Sequence, residues 1–223
     1  MKSSRLPRFP FARAAALAAA LAFCGSARAA TYYWDTNNGT AGFGTAGGTW
    51  AAPTTNNATQ GWSTDSTGGT ALSGTTTTTT TDALNFGTSS AQLATGTITV
   101  SGNVSANTIT LVGSSSNITL SGGNITLQGG LTATNSANTT AITDTISSNI
   151  TLGANQTWTV NNGGTVGLAN LTVSGVISGT NFGITKAGNG TLTLSGSNTN
   201  TGPTTLNAGM LSLTGNNTSM SGG

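Results

Sequence analysis

The chain contains no histidine and no glutamate, and it holds one cysteine, four acidic and six basic residues in 223 positions. These absences close off most catalytic chemistry. Without imidazole there is no Ser-His-Asp or Cys-His relay, and abundant serines are not activated by their number. Zinc would find no imidazole and, apart from Cys24, no thiolate. The four aspartates (Asp35, Asp65, Asp82 and Asp144) do not form the Gly-Gly-x-Gly-x-Asp pattern of calcium-binding solenoids. Glycoside hydrolysis uses two carboxylates at a set separation, and lyases need a base and a charge stabiliser. Only Asp144 lies in the repetitive part of the chain, in Thr143-Asp144-Thr145, which reads as an exposed loop. The expectation is therefore no enzyme, with no catalytic, cofactor-binding or metal site.

Charge is scarce and unevenly placed. Lys2, Arg5, Arg8, Arg13 and Arg28 all precede residue 30, so from there on Lys186 stands alone against four aspartates, a net charge of −3. That balance offers no basic surface for nucleic acid. The basic start, the apolar stretch 14–24 and Ala27-Arg28-Ala29 have the three parts of a signal peptide over residues 1–29. The apolar stretch is too short to span a bilayer. Phe23 before Cys24 does not suit a lipoprotein signal, which wants a small residue there. Cleavage after Ala29 removes the only thiol. With four aspartates, one lysine and two tyrosines left, almost nothing titrates near neutrality, so stability is expected to be flat between about pH 5.5 and 9.

Residues 30–83 differ from the rest. Tyr32, Tyr33, Trp34, Phe43, Trp50 and Trp62 concentrate there, which suits an N-terminal cap over an open sheet end. The competing reading is an aromatic platform for a glycan. Gly42-Phe43-Gly44-Thr45-Ala46-Gly47, with Asp65 downstream, fits a dinucleotide fingerprint, but Trp50 and Pro53 follow where a helix should start. It reads as a turn in the cap. The seven threonines at 75–81 have no apolar face and read as a surface loop or exposed strand. Across 84–215 a short unit recurs: polar, Ile or Leu, Thr, then Leu or Val. Examples are Thr108-Ile109-Thr110-Leu111, Asn117-Ile118-Thr119-Leu120, Asn149-Ile150-Thr151-Leu152, Asn170-Leu171-Thr172-Val173 and Thr191-Leu192-Thr193-Leu194. Alternation of period two means strands with one buried face. Such short strands are stabilised by stacking as coils, each paired above and below. Coils of about 20 residues would give about six. Asn161-Asn162, Asn198 and Asn216-Asn217 are candidates for stacked amide ladders. Residues 216–223 read as a truncated or disordered tail.

The segment 183–213 carries a resemblance. Lys186, Gly188, Gly190, Thr191, Leu192, Thr193, Leu194, Ser195, Gly196, Asn198, Thr199, Gly202, Thr204, Thr205, Asn207, Ala208, Gly209 and Leu211 resemble the autotransporter-associated β-strand repeat, also called the passenger-associated transport repeat. Asn200 departs from it, standing where that family commonly has an aromatic residue, usually Tyr. The resemblance implies an all-β, right-handed parallel β-helix of pectin-lyase-like architecture behind its signal peptide. It also implies a bacterial passenger segment that extends and assists export of a surface protein, with Lys186 in a structural role. The implied partner is an outer-membrane translocator, in cis in a longer gene or in trans. The implied location is outside the inner membrane, extracellular or on the surface of a Gram-negative-type bacterium. Alternatives are an adhesin or glycan-binding module using the N-terminal Trp/Tyr cluster (Tyr32, Tyr33, Trp34, Trp50 and Trp62), and a solenoid polysaccharide-active enzyme. Neither nucleic acid nor a small-molecule cofactor is expected.

The processing reading is checked by intact mass of the secreted product, which should begin at Ala30. A mature protein that keeps Cys24 would refute it.

Overall fold

The computed structural model describes residues 29–70, 72–113, 116–136, 141–163 and 168–217. The expected signal peptide lies outside the described residues except for its last position, as does the tail from residue 218. The described chain is all β. It starts with β1 (Thr31–Trp34), β2 (Thr49–Trp50), β3 (Thr54–Thr55), β4 (Trp62–Ser63) and β5 (Thr75–Thr76). The strands β6 (Ala83–Phe86) and β7 (Gly96–Val100) make a two-sided coil. Four three-sided coils follow: β8 (Asn103–Gly113) with β9 (Ile118–Ser121); β10 (Asn124–Asn135) with β11 (Ile142–Ile146); β12 (Asn149–Leu152), β13 (Gln156–Asn162) and β14 (Ala169–Val173); then β15 (Ile177–Ser178), β16 (Ile184–Ala187) and β17 (Thr191–Leu194). A last two-sided coil consists of β18 (Thr204–Leu206) and β19 (Met210–Leu213). Strands β8 and β10 each serve two sides, with a register shift between Leu127 and Gly130 where β10 turns the corner.

All pairing between these coils is parallel. One face runs β18-β16-β13-β10-β8-β6-β1, another β19-β17-β14-β11-β9-β7-β2. The third is built from residues 103–106 and 124–127, then β12 and β15. This is the β-solenoid that the alternating pattern implies. The coils are of unequal length, as the irregular spacing of the strand units implies, and most are longer than the expected 20 or so residues. Register partners Leu84, Ile109, Leu131, Trp158, Lys186 and Leu206 stand 25, 22, 27, 28 and 20 residues apart. Loops at the corners absorb the difference while the strands keep register.

Each face sends two columns inward. Val104, Ile125, Ile150 and Ile177 stack on one; Leu84, Ile109, Leu131 and Trp158 on another; Leu120, Ile146, Val173 and Leu194 on the third. All are buried. The ten expected inward residues, Ile109, Leu111, Ile118, Leu120, Ile150, Leu152, Leu171, Val173, Leu192 and Leu194, are all 2 % exposed or less. The threonines between them form outward ladders such as Thr97, Thr119, Thr145, Thr172, Thr193 and Ser212. Threonine suits this position because its β-branched side chain favours extended backbone and its hydroxyl stays wet.

The asparagines behave differently from the expected ladders. Asn198 Nδ2 does donate to Asn217 Oδ1 at 2.6 Å. Four other asparagine oxygens instead accept main-chain N–H groups of an adjacent coil: Asn117 from Thr143, Asn149 from Val176, Asn155 from Gly183 and Asn189 from Asn162. Corner amides have no strand partner, and a short carboxamide supplies one.

The aromatic start is a cap. Strand β4 runs antiparallel along the outer edge of β1, and β3 pairs antiparallel with β5. Trp34, Trp50 and Trp62 are 0 %, 0 % and 4 % exposed and meet edge-on, with ring centroids 4.9 Å apart for Trp34–Trp62 and 5.6 Å for Trp50–Trp62. Such indoles close the core and present no flat face to a glycan. The threonine run is partly structural: Thr78 is buried and accepts from Trp50 Nε1 at 3.1 Å. It was expected on the surface. An indole N–H buried in the cap needs an acceptor, and this hydroxyl provides it.

Replacing Ile118 with Asp should lower unfolding free energy by roughly 3 kcal/mol or more, because it buries an unpaired carboxyl. Replacing the neighbouring Thr119 with Lys should change it by less than about 0.5 kcal/mol. Urea denaturation of the two variants checks the facing, and a reversed ranking would show it wrong.

Candidate functional site

Two ionisable residues enter the inward columns where aliphatic residues would continue them. Lys186 follows Trp158, and Asp144 lies between Ile118 and Leu171. Both are almost fully buried, at 0 % and 1 % exposure. The molecule accommodates them in different ways.

Lys186 sits in β16, in phase with Ile184, so alternation forces it inward. Its Nζ donates to Ala187 O at 2.6 Å, Gly188 O at 2.7 Å and Ala208 O at 3.1 Å. An ammonium has three N–H donors, and each has an acceptor here. The cage is made from two successive coils. Ala187 and Gly188 belong to the lysine's own turn, and Ala208 to the turn above, which is held down by Asn207 N donating to Lys186 O at 2.8 Å. Gly209 closes the cage. Its φ is +76°, and a Cβ there would lie 2.4 Å from Gly188 O, 2.5 Å from Gly190 O and 2.9 Å from Lys186 Nζ. Gly188, with φ +77°, aims its carbonyl at the ammonium through a left-handed turn. Lys186, Gly188, Gly190, Asn207, Ala208 and Gly209 therefore form one constellation, although 23 positions separate the first from the last. Burial pushes the Lys186 pKa down from its ordinary value. What the arrangement does chemically is bind one coil to the next through a charge held by main-chain dipoles.

Asn200, the position that departs from the repeat pattern, also faces inward at 0 % exposure. Its Nδ2 donates to Phe182 O at 3.3 Å, and its Oδ1 has no partner.

Asp144 was expected in an exposed loop. It is instead the middle of β11, in phase with Ile142 and Ile146. The alternation Ile-Thr-Asp-Thr-Ile carries that signal, and a polar residue at an inward position hides it. Asp144 Oδ1 accepts Ile118 N at 2.8 Å, while Oδ2 is buried without a partner. Burial raises its pKa to about 7, against a smaller lowering by the Ile118 bond. A carboxyl raised to about 7 argues for a pH-dependent stability in place of the expected flat profile.

The other carboxyls lie in the cap region. Burial raises the Asp35 pKa, with the charge of Asp65 adding to it and the Asn37 N–H opposing it. Asp65 is held down to about 2, chiefly by the Thr67 hydroxyl and N–H at 2.7 and 2.8 Å. Asp82 is buried and binds the main chain of Thr79 and Ala30. Among the described residues no three His, Cys, Asp or Glu side chains gather as a metal centre would require. The glycine motif 42–47 is a cap turn with Phe43 fully buried, and no helix follows it.

Residues 184–213 match the family model of the passenger-associated-transport-repeat. The match bears out the resemblance read from 183–213. Its limits coincide with structure: it runs from the first residue of β16 to the last of β19, and so contains both halves of the lysine cage. Comparisons with curated proteins and with solved structures returned no match.

Two outcomes follow for the buried charges. Lys186→Met keeps length and removes the three donors, leaving buried carbonyls unpaired. It should lower stability by about 2 kcal/mol or more and speed hydrogen exchange in β16–β19 more than in β8–β10. For Asp144, the folded pKa lies above the unfolded one, so the folded state binds the extra proton between about pH 4 and 7. The stability this provides is complete below about pH 4 and is lost as pH rises through about 7. Urea midpoints should thus fall from pH 5 to pH 8, by an amount on the order of a few kcal/mol, and Asp144→Asn should flatten the profile. A wild-type midpoint constant over that range would refute the assignment.

Proposed function

We propose that this chain is a structural segment of a secreted passenger protein, which extends a surface protein from the cell and assists its export. The observation that carries the reading is the position of the matched repeat. It forms the last described coils of a parallel ladder and is bonded to itself across coils by the Lys186 cage. The repeat and the solenoid together fit an autotransporter passenger segment.

Physical properties of the chain suit that task. A solenoid folds by adding coils to neighbours, so it can order progressively as it emerges from a pore. Cleavage after Ala29 leaves no thiol, so no disulfide can lock the chain during passage. Few charged side chains remain to be desolvated on stacking. In this reading the leader 1–29 directs the chain across the inner membrane, an outer-membrane translocator carries it onward, and the product stands outside a Gram-negative-type cell. The role is mechanical and needs no catalysis.

Deletion of residues 184–213 from the gene in its native host tests the reading. An epitope tag placed after Ser66, beyond β4, should become several-fold less accessible to external protease on intact cells. Lys186→Met should give an intermediate loss. Undiminished surface display of the deletion variant would refute the export role.

A further inference from the structure

Removal of a leader ending at Ala29 leaves two cationic groups in the chain, the Lys186 ammonium and the α-amino group of Ala30. The first is held in its carbonyl cage. The surroundings of Ala30 show a place for the second. Ala30 N lies 2.9 Å from Asp82 Oδ1 and donates to it. Asp82 is 4 % exposed. Its Oδ2 accepts Thr79 N at 2.7 Å and Thr79 Oγ1 at 2.8 Å, which fixes the carboxylate in one orientation.

The main chain on both sides holds this geometry in place. Ala83 N donates to Ala30 O at 2.8 Å, Thr31 pairs with Ala83 in the β1–β6 ladder, and Asp82 O accepts Asn107 N at 2.8 Å from the next coil. The nitrogen and the carboxylate therefore meet where β1 joins β6. The elements around them bring no other charge. Strand β6 reads Ala-Leu-Asn-Phe, residues 77–81 are all threonine, and the titratable groups of β1 are the tyrosines Tyr32 and Tyr33. Lys186 is four strands away along the sheet, roughly 19 Å.

We infer that Asp82 is the counter-ion of the mature N-terminus. The inference rests on the reading that the chain is exported and cut between Ala29 and Ala30. Water adds across that amide bond; Ala29 departs with the new carboxylate, and Ala30 keeps the nitrogen, which takes up a proton near neutral pH. An amide N–H that donated a neutral hydrogen bond becomes an ammonium on a buried carboxylate, a stronger, charge-assisted contact. The pair ties β1 to β6 at the end of the solenoid where the cap begins. The position of the cut matters. A start one residue earlier leaves an amide against Asp82 and places the charge about 3.8 Å further along the chain.

The test uses the chain through residue 223 in two forms, one starting at Ala30 and one with a single glycine before it. Each is made with Asp82 and with Asp82→Asn, and each start is verified by intact mass. The asparagine keeps one acceptor oxygen for Thr79 while removing the charge, and both starts are compared in the same Asp82→Asn background. The Ala30 methyl resonance followed against pH reports the amine. It should titrate at least half a unit above the ordinary value of about 8 in the Ala30 form and return to it in Asp82→Asn. Because the folded pKa is raised, the added stability is present below about pH 8 and disappears as pH rises through the folded value. The Ala30 form should therefore have the higher urea midpoint at pH 6.5, with the advantage gone at pH 10 and absent in the Asp82→Asn pair. An amine titrating at its ordinary value, or equal midpoints for the two starts at pH 6.5, overturns the pairing. A secreted product that starts elsewhere overturns the processing step, while the pairing is still judged on the Ala30 form.

Discussion

Every coil of this molecule is held by the coil beneath it. The parallel ladder satisfies the main chain, and inward columns of Ile, Leu and Val fill the space between three faces. Neither part is stable alone. A four-residue strand such as β9 or β12 buries two side chains and leaves its hydrogen-bonding groups open until strands stack on both sides. Stability is thus a property of neighbouring pairs of coils, and disturbance at one rung is felt at the next.

That dependence makes the ends and the interruptions the informative places. At the lower end, β4 lies antiparallel on β1, and buried indoles seal the columns. At the upper end, Leu206, Met210 and Leu213 of the last described coil are 50 %, 61 % and 49 % exposed. Inside, polar groups occur where a column must pass a corner or join unlike coils. Trp158 Nε1 donates to buried Gln156 Oε1 at 2.8 Å, and Gln156 in turn reaches Leu127 O at the corner of β10. The Lys186 cage solves the same problem with a full charge, using all three of its donors on carbonyls. Asp144 is solved least completely, with one oxygen bonded and one bare, and burial pushes its carboxyl up to about 7.

The conjunction of cage and repeat gives physical meaning to the residues of the matched segment. Gly188 and Gly209 are required by positive φ and by the lack of room for a Cβ, Lys186 by the carbonyls those turns present, and Asn207-Ala208 by the return of the chain over the lysine. A segment that builds its own joint between coils can terminate or continue a solenoid of any length.

Much of this was legible in the chain itself, and the remainder was not, for a definite reason. Alternation of period two is local. It identified strands such as Asn117-Ile118-Thr119-Leu120 and which side chains they bury, and the scarcity of charge and of imidazole set aside whole classes of chemistry. The repeat at 183–213 could be read from its residues because glycine turns and strand patterns lie close together in sequence. Asp144 escapes local reading because a polar residue at an inward phase has the composition of a loop. Thr78, Gln156 and Asp82 carried no local signal, since their partners Trp50, Leu127 and Ala30 lie 28, 29 and 52 residues away. Which residues face each other depends on how corner loops of unequal length bring the coils into register. Stacking decides that, because each pairing becomes favourable only once the coil beneath it is in place.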